Sequence, residues 1–402
     1  EITMAVLLAD RLLPDVAQWA DELTAIRHDL HSHPEYGFNT ERTVGVICDH
    51  LRQWGVTDIN TDFVKGAVIA VIEGNRPGHT IGVRADMDCL PMNDRCGKDW
   101  VSQNEGYAHA CGHDGHTTWL LGVARYLASH RDFPGKVVLV FQPAEEISQG
   151  ARTLIEAGLL EKYGIEEIYG GHTEPMLPKG TIGFKPGPLQ AASDSLYITV
   201  KGKGTHGGRP HLGVDPIPVA AQIVTALQTI VSRKVNPIDT AVLSICSINA
   251  GRFEAMNVVP AECTLSGTIR TFLPQTRVQI EEVVKTMVPS IAAANGCEVE
   301  LKYVHECGSV INSPAQTEAA LKVTGELLGE DHVKVIDPFM SSEDFSEYLQ
   351  RVPGCIIRVG IKDDEHTVSL HNPNFDFNDE VLPVAVSVVA NMAIKRLEAL
   401  AK

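Results

Sequence analysis

Several side chains that bind divalent metals stand out in the sequence. They are the stretch Cys111–His116, the adjacent acid pair Glu145–Glu146, and two isolated histidines, His172 and His371. A thiolate and an imidazole two residues apart cannot share one helical face, but a tight glycine turn or a short extended segment points both the same way. Thiolate, imidazole and carboxylate groups are all metal ligands. Together these residues predict a metal-binding hydrolase site.

The surroundings of these residues favour a functional site over ordinary core or surface positions. The apolar stretch 117–124 follows the Cys111–His116 stretch directly, so we expect the motif on a loop that opens a helix, where irregular backbone can surround an ion. An adjacent acid pair is usually two surface charges, and a single cysteine is usually a small buried apolar side chain. Here the acid pair follows an apolar run and Gln-Pro-Ala, and Cys111 has His113 beside it.

Helical and extended patterns alternate around the candidate residues. Helical spacing of apolar residues covers 8–30, 40–54 and 117–129, and short β-branched runs cover 68–72, 80–84 and 136–141. This alternation predicts a doubly wound α/β layer. Asp86 and Asp88 then follow one strand, and Glu145 and Glu146 follow another, at the edge where open α/β sheets carry their ligand sites.

A second pattern begins near residue 191. Period-two alternation covers 195–201, 264–270 and 298–304, and helical spacing covers 216–232 and 275–295. A helical pattern near 317–328 and a strand pattern at 356–360 then follow, as in the first part of the chain. We therefore expect His371 to belong to the first domain. We therefore expect an α/β fold with a doubly wound catalytic domain over 1–190 and 308–402. An inserted α+β satellite domain over 191–307 would serve as a lid or a dimerisation module.

Composition restricts the class of protein and its partners. The chain has 402 residues, of which 44% are hydrophobic, enough for two or three globular domains. Its formal net charge of −17, with no cluster of Lys and Arg, argues against a nucleic-acid partner. The apolar run near the start ends at Asp10, too early for a membrane helix or an export signal. Nine scattered cysteines fit reduced thiols, so we expect a cytoplasmic protein.

Ten motifs, in order along nearly the whole chain, resemble those of the M20 metallopeptidase-type amidohydrolases. The resemblance is to the branch that contains aminoacylases, hippurate hydrolases and auxin-conjugate hydrolases. The motifs are His31-Ser-His33-Pro-Glu35, Arg84-Ala-Asp86-Met-Asp88-Cys-Leu-Pro91, His109-Ala-Cys111-Gly-His113-Asp-Gly-His116, Gln142-Pro-Ala-Glu145-Glu146, Gly204-Thr-His206-Gly, Pro210-His-Leu-Gly-Val-Asp215-Pro, Asn257-Val-Val-Pro260, Gly267-Thr-Ile-Arg270, Ser342-Glu343-Asp344-Phe345 and His371-Asn372-Pro373.

The resemblance implies two divalent ions per chain, with Cys111 bridging the pair. The implied ligands are Cys111, His113, Glu146, His172 and His371. Without the resemblance, His172 in Tyr169-Gly-Gly-His172 would be predicted to be an ordinary loop histidine, and so would His371. The sequence does not identify the metal: thiolate and imidazole suit Zn²⁺, while carboxylates also admit Mn²⁺ or Co²⁺.

The resemblance leaves Glu145 as the general base. Adjacent residues of an extended segment point to opposite sides, so Glu146 can face the metal while Glu145 takes another direction. A bound divalent ion lowers the pKa of its water towards ~7, and a nearby carboxylate can remove the proton as that water attacks a carbonyl. The same acid can then protonate the leaving nitrogen.

Candidate substrate contacts lie in the inserted domain. The resemblance implies that His206 reaches across a cleft, from this chain or a neighbouring subunit, to stabilise the oxyanion of the tetrahedral intermediate. It implies that Arg270 binds the substrate carboxylate through its guanidinium fork, against the alternative of a strand-end salt bridge. Asn257 is a further candidate for the same pocket, and Arg209 could add a second anion contact or be a solvated charge.

Other residues of the motifs are expected to support the ligands. His109 and His116 have the spacing of ligands, but we expect packing, capping or hydrogen bonds to ligands instead. Asp88 is expected to orient His113 from the second coordination shell, and Asp86 is a weaker candidate. The chain also departs from the pattern of many relatives, which carry a hydrophobic or aromatic residue before Pro where this chain has Glu174. That carboxylate would repel an anion or receive an amine, unless it is simply solvated.

These observations predict a metal-dependent hydrolase that cleaves a C–N bond of a small carboxylate-bearing substrate, most of all the amide of an N-acyl amino acid. One alternative is an aminohydrolase that uses the same dinuclear site to release ammonia from a small, possibly aromatic, amine. Another is a non-catalytic binding protein on the same fold, although neither Glu145 nor any ligand is missing. We expect no membrane partner and a homodimer or higher homo-oligomer through the inserted domain.

Overall fold

The computed structural model describes residues 8–402 and divides into two compact units. Unit 1 runs to Gly187 and resumes over Asn312–Asp337 and Glu347–Lys402, and unit 2 comprises Pro188–Ile311 and Pro338–Ser346. Residues 338–346, predicted to lie in the second part of the catalytic domain, cluster with unit 2. Residues 1–7, expected in the first part of that domain, lie outside the described residues. The assignment of catalytic and satellite roles to the units stays a prediction.

The strands of the described residues are numbered in chain order. They are β1 (Asp58–Asn60), β2 (Val68–Glu73), β3 (Arg76–Asp86), β4 (Pro134–Gln142), β5 (Glu167–Pro178), β6 (Ile182–Phe184), β7 (Gly187–Gln190), β8 (Ala192–Lys201), β9 (Thr205–His206), β10 (Ala241–Ala250), β11 (Val258–Val259), β12 (Glu262–Thr271), β13 (Glu298–Cys307), β14 (Val310–Asn312), β15 (Val333–Val335) and β16 (Gly354–Lys362).

The α-helices are numbered in the same way, and short 3-10 helices accompany them. The α-helices are α1 (Ala20–Ser32), α2 (Glu41–Gln53), α3 (His113–Ser129), α4 (Gly150–Glu156), α5 (Leu159–Tyr163), α6 (Pro216–Arg233), α7 (Pro274–Ala294), α8 (Pro314–Leu328), α9 (Ser346–Leu349) and α10 (Leu382–Leu400). The 3-10 helices are Ala9–Arg11, Val16–Trp19, Pro210–Leu212, Glu330–His332 and Asp379–Val381.

Unit 1 is built on a mixed eight-stranded sheet. Its strand order is β1-β2-β4-β3-β5-β16-β6-β15, and the central strands β4, β3, β5 and β16 run parallel to one another. The carboxyl ends of β3 and β4 are in register, with Asp86 opposite Gln142, and β5 ends at the same edge. This architecture confirms the predicted α/β class, and it brings the segments after β3, β4 and β5 to one edge of the sheet.

The helices of unit 1 bury the sheet because their sequences are apolar on most sides. Helices α3 and α10 are buried along most of their length and pack against each other and against α1. The strand residues 137–142 of β4 are all buried, which is typical of a strand covered on both faces. The candidate metal ligands at the start of α3 therefore stand on a rigid core.

The first predicted helix is wrong over its first half. Helical spacing predicted a helix from Leu8 to Leu30, but the structure has two short 3-10 helices before α1 begins at Ala20. Pro14 lacks a backbone N–H and disfavours helical backbone in the residue before it. Asp15 follows with φ 69°, a left-handed conformation that an α-helix cannot contain.

Unit 2 has a core of its own. Its four-stranded sheet is antiparallel in the order β10-β12-β8-β13, and helices α6 and α7 pack on one face. Leu196, Ile198 and Val200 of β8 point into that core, while Tyr197 between them is exposed. The period-two pattern seen in the sequence is thus the alternation of one helix-covered face and one open face.

Within residues 8–402, none of the helices combines the length and the apolar composition that crossing a membrane requires.

Candidate metal centre

A glycine turn brings Cys111 and His113 to the start of α3, as the sequence predicts. Gly112 has φ 82° and occupies the residue before the helix, and His113 is the first helical residue. A side chain at position 112 would be strained by this φ, and its Cβ would lie 2.6 Å from Cγ2 of Thr173. Glycine is therefore required where the chain must turn sharply between two candidate ligands.

His113 and His172 present the same ring nitrogen to the site. The Nδ1 of His113 donates to the backbone oxygen of Asp88 at 2.9 Å, and the Nδ1 of His172 donates to the backbone oxygen of Thr173 at 2.7 Å. Each bond fixes the ring and leaves Nε2 as the atom that can bind an ion. The Nε2 of His172 lies 3.6 Å from the Sγ of Cys111.

His172 lies in strand β5, so the loop that its local sequence predicts is wrong. Gly170 and Gly171 precede it and suggested a turn, yet both are part of the buried strand. A Cβ on Gly171 would lie 3.3 Å from the Trp119 ring of α3. Gly171 is therefore explained by close packing of the strand against a helix and not by a turn.

A tight turn after β4 separates the two acids. Ala144 and Ser148 both adopt left-handed backbone, with φ 58° and 53°. Between them, the amides of Glu145 and Glu146 donate to the two carboxylate oxygens of Asp88, at 3.0 and 3.2 Å. Asp88 therefore supports the site in two ways, through its carbonyl to His113 and through its side chain to the acid pair.

His371 joins the cluster from the last third of the chain. Its backbone is left-handed at φ 58°, a strained conformation for a residue other than glycine, and its amide donates to the carbonyl of Ala110 at 2.7 Å. This bond sets His371 beside Cys111. Its Nε2 lies 3.6 Å from Oε2 of Glu146, and its side chain is 55% exposed, unlike the other candidate ligands.

Four of the five predicted ligands fall into two overlapping groups within unit 1, one of which also contains Glu145, and His172 lies in a third group with Asp86, His113 and His116. Cys111, Glu146 and His371 form one set of ligand atoms within 4.8 Å of one another, and His113, Glu145 and Glu146 form another. Glu146 belongs to both sets, and Cys111 also approaches His172. Two adjoining sets that share members suit a pair of neighbouring ions better than a single one.

Two buried atoms at the centre of this cluster lack hydrogen-bond partners. They are Nε2 of His113 and Oε1 of Glu146, which face each other at 3.7 Å. This distance is too long for a hydrogen bond but suits two atoms that bind a common ion. Buried polar atoms are rarely left unsatisfied, so the pair fits a divalent metal.

Three of these side chains have shifted pKa values, and a proton bound to any of them would compete with a metal ion. Burial raises the pKa of Glu146 to about 7, although His113 opposes the shift. Burial lowers the pKa of His113, but Asp86 and Asp88 outweigh it and raise the value to about 10. Burial and the charge of Arg358 hold the pKa of His172 well below its usual range, in the neutral form that binds metals.

His116 has both ring nitrogens engaged, as expected of a supporting residue. Its Nδ1 donates to Asp86 at 2.5 Å, and its Nε2 accepts from the amide of Thr173 at 2.9 Å. Asp86 in turn accepts from Arg84 at 2.7 Å. His116 therefore links the ends of β3 and β5, and neither nitrogen is left for a metal. His109 is buried nearby, and burial lowers its pKa to about 3.

His31 and Glu35 belong to one of the motifs, but the sequence predicts no role for them. His31 is buried between two acids, with Nδ1 2.7 Å from Asp114 and Nε2 3.1 Å from Asp94. Glu35 accepts from the amides of Arg42 and Thr43 in the first turn of α2. The local sequence does not reveal these partners. Asp94 and Asp114 are distant from His31 in the chain, and the partners of Glu35 are backbone amides of α2.

The predicted substrate contacts lie in unit 2, and three of them occupy one exposed region. His206 on β9 pairs with Val258 on β11, the amide of Gly207 donates to the carbonyl of Asn257, and the amide of Arg209 donates to the carbonyl of His206. The side chains of His206, Arg209 and Asn257 are exposed. The Nδ1 of His206 accepts from the amide of Gly208 at 2.9 Å, so its Nε2 carries the proton.

Arg270 lies apart from this region, on β12. Its Nη1 donates to Ser193 and Thr268, each at 2.5 Å. Within residues 8–402 it has no acidic partner, so the strand-end salt bridge considered as its alternative is absent. The Nε and Nη2 edge of the guanidinium keeps the geometry that pairs with a carboxylate.

The carboxyl edge of the mixed sheet carries a buried cluster of thiolate, imidazole and carboxylate groups. This is the architecture of a metal-dependent hydrolase. Comparison of the sequence with known proteins identifies the family. The model of peptidase family M20/M25/M40 matches residues 82–395 of the chain, and the chain belongs to this family.

Relatives across the whole chain agree with this assignment. The N-acetylcysteine deacetylase of Bacillus subtilis is 37% identical over 94% of this chain and 97% of its own length. The hippurate hydrolase of Campylobacter jejuni is 36% identical over 96% of this chain and 100% of its own length. The crystal structure of the YxeP protein of Bacillus subtilis, a dinuclear metal binding peptidase from the M20 family, matches with a TM-score of 0.83. It is 34% identical and covers 95% of this chain and 99% of its own.

These findings confirm the resemblance predicted from the motifs and the class of enzyme, a metal-dependent amidohydrolase. They also favour an enzyme over a non-catalytic binding protein. A site for divalent metal is supported by both the comparison and the buried ligand cluster.

Proposed function

We propose that this enzyme hydrolyses the amide bond of an N-acyl amino acid, with two divalent ions held by Cys111, His113, Glu146, His172 and His371. The convergence of these five side chains in unit 1 carries the proposal, together with the unpartnered Nε2 of His113 and Oε1 of Glu146. The names of the relatives support the substrate class, since a deacetylase of N-acetylcysteine and a hippurate hydrolase both act on acylated amino acids.

Glu145 is the proposed general base. Its amide is fixed by Asp88, and its carboxylate lies 3.9 Å from Nε2 of His113, beside the ligands but outside the set that we assign to the ions. The ions, when bound, polarise the carbonyl and lower the pKa of water. Glu145 accepts the proton of the attacking water and later delivers it to the leaving nitrogen, so that the amide becomes a carboxylic acid and a free amino acid.

Residues of unit 2 are the proposed contacts to the substrate. The Nδ1 of His206 accepts from the amide of Gly208, which leaves the exposed Nε2 as the ring nitrogen that can donate a hydrogen bond. A donor at this position would stabilise a developing oxyanion. Arg270 is proposed to bind the amino-acid carboxylate through Nε and Nη2, with Asn257 and Arg209 as further contacts.

The metal, the assembly and the compartment are also proposals. The thiolate and imidazole ligands favour Zn²⁺, and the carboxylates admit Mn²⁺ or Co²⁺. Strand β10 is an edge of its sheet with exposed Ile248, which supports a homodimer or higher homo-oligomer through unit 2. All nine cysteines are free, which supports a reducing compartment such as the cytoplasm.

The reaction is tested by a panel of hippurate-like amides and aminobenzoate-like amines given to the metal-loaded enzyme. Free amino acid and ammonia are measured separately. We expect an amino acid and a carboxylic acid in equal amounts from an amide, with no ammonia. Ammonia from an amine, with every amide untouched, would instead establish the aminohydrolase reaction on the same site.

The ligand set is tested by elemental analysis after loading with excess metal. We expect two ions per chain, and fewer after substitution of any one of the five ligands. Cys111→Ser should weaken the binding of soft metals most, because the thiolate is the softest ligand of the set. A saturated stoichiometry of one or none, or full activity after exhaustive chelation, contradicts the proposal.

A further inference from the structure

Glu174 lies two residues beyond the candidate ligand His172 on the same strand. Both residues belong to β5, whose alternate side chains point to the same face. Two residues of a strand span about 7 Å, so the carboxylate of Glu174 follows the imidazole of His172 at a distance that a small substrate can bridge.

The carboxylate of Glu174 is buried but has no cation beside it. The residue is 7% exposed, and its Oε1 accepts from the amide of Met176 at 3.0 Å. Among residues 8–402, no Lys, Arg or His forms an ion pair with it. Burying a carboxylate without a counter-charge is costly, and the bond to a single amide offsets only part of that cost.

The neighbouring strand places no cation opposite Glu174. In the parallel pairing of β5 with β16, the residue opposite Glu174 is Gly360, which has no side chain. A Cβ at position 360 would lie 2.2 Å from the carbonyl oxygen of Pro178, so no larger residue fits there. The nearest cation in the register is Arg358, which lies opposite His172 and not opposite Glu174.

We infer that Glu174 selects substrates that carry a positively charged amine, so that the preferred substrate is an N-acyl amino acid with an ammonium group on its acyl or its amino-acid part. This inference rests on the proposed amide hydrolysis. A carboxylate that the protein leaves without a counter-charge gains most from a ligand cation, and a charge-assisted hydrogen bond is stronger than a neutral one. An apolar side chain at the same position would instead select apolar substrates.

The test uses two matched pairs of substrates that differ in charge but little in shape. Nα-acetyl-lysine and Nα-acetylnorleucine vary the amino-acid part, and 4-(aminomethyl)benzoylglycine and 4-ethylbenzoylglycine vary the acyl part. In one of the two pairs we expect kcat/KM to be about ten- to hundredfold higher for the amine, the effect of one hydrogen bond to a charged group. The pair that shows it identifies the part of the substrate that Glu174 contacts.

Two variants connect the preference to Glu174. Glu174→Gln keeps an acceptor for the amide of Met176 but removes the charge, and should bring the ratio within each pair close to one. Glu174→Leu should reverse it in favour of the neutral substrate. Glu161→Gln, on the exposed part of α5, is the matched control and should keep the wild-type ratio. Metal content and thermal stability confirm that each variant is folded.

The outcomes separate this inference from the proposed function. Equal kcat/KM values within both pairs for the wild type overturn the inference, whether or not the variants fold, and so does a preference that survives in Glu174→Gln. If the metal-loaded wild type cleaves none of the four amides, the proposed function fails. Calorimetric binding of the same four compounds then decides about Glu174: tighter binding of an amine that Glu174→Gln abolishes supports the inference, and equal binding overturns it.

Discussion

The candidate residues of unit 1 and those of unit 2 differ in how the fold holds them. In unit 1, His113, His172 and Glu145 are buried, the side chain of Glu146 is 5% exposed, and each residue is fixed by a hydrogen bond to the backbone or to Asp88. In unit 2, His206, Arg209 and Asn257 are exposed, and they are connected mainly through their backbone. The same chain thus contains one buried, hydrogen-bonded cluster and one exposed surface.

This difference separates two kinds of residue. A change in the buried cluster disturbs neighbours that share its hydrogen bonds, so metal content, stability and turnover should change together. A change on the exposed surface leaves the core intact, so turnover should change alone. A buried residue whose substitution lowers turnover alone would be one that acts in the chemical step.

The largest effect is expected from Glu145→Gln, which is buried yet should behave as a purely catalytic change. We expect kcat to fall by ~10²–10⁴, the usual contribution of a positioned general base. Metal content should stay near that of the wild type, since Glu145 is not a proposed ligand, whereas Glu146→Gln should lose metal. Elemental analysis beside steady-state kinetics checks both. If the two variants behave alike, the division of roles between the acids is wrong.

The next effect is expected in unit 2, from His206→Ala. Loss of one oxyanion donor should lower kcat by about 10²–10³. The melting temperature should not change, because the side chain is exposed and its bond to Gly208 is local. His206→Gln keeps an N–H donor and should recover part of the loss. A variant that lowers stability as much as activity would show that His206 is structural.

A smaller effect is expected from Asp88→Ala, which removes the acceptor shared by the amides of Glu145 and Glu146. We expect the affinity for metal to fall by about 10–100-fold, as for other residues that support ligands. Asp88→Asn keeps one acceptor oxygen and should lose less. Competitive titration with a chelator measures the change. An unaltered affinity in Asp88→Ala would mean that the turn holds its shape without this side chain.

The smallest effect concerns packing beneath the ligands. In Gly115→Ala the new Cβ would lie 2.3 Å from the Phe377 ring, so we expect a loss of about 1–3 kcal/mol in the free energy of unfolding. Gly45→Ala on α2 is the matched control, because nothing lies within 4 Å of its Cβ. There alanine should stabilise the helix by up to about 1 kcal/mol. Chemical denaturation of both variants tests the contrast, which equal stabilities would contradict.

Sequence alone predicts the parts of the site that depend on local patterns. The spacing of Cys111 and His113 around a glycine, followed by an apolar run, indicates a helix start, and α3 begins at His113. The acid pair after an apolar run indicates a strand end, and β4 ends at Gln142. Both predictions succeed because turn geometry and burial are encoded within a few residues.

Features that depend on distant partners could not be predicted in this way. The two glycines before His172 resemble a turn sequence, and the packing of Trp119 against Gly171 cannot be recognised from the local sequence. The bonds of Asp88 to the acid pair and of His116 to Thr173 join segments 57 residues apart. Helix α10 was not identified, because its apolar residues follow one another without helical spacing. In each case tertiary packing overrides the local signal.

The order of the ligands along the chain has a consequence for biosynthesis. Four of the proposed ligands lie between Cys111 and His172, but His371 follows only after the whole of Pro188–Ile311. A chain that emerges from the ribosome amino-terminus first therefore has four ligands long before it has the fifth. With the proposed ligands, full metal retention should therefore begin only once the segment that carries His371 has been made and has joined unit 1.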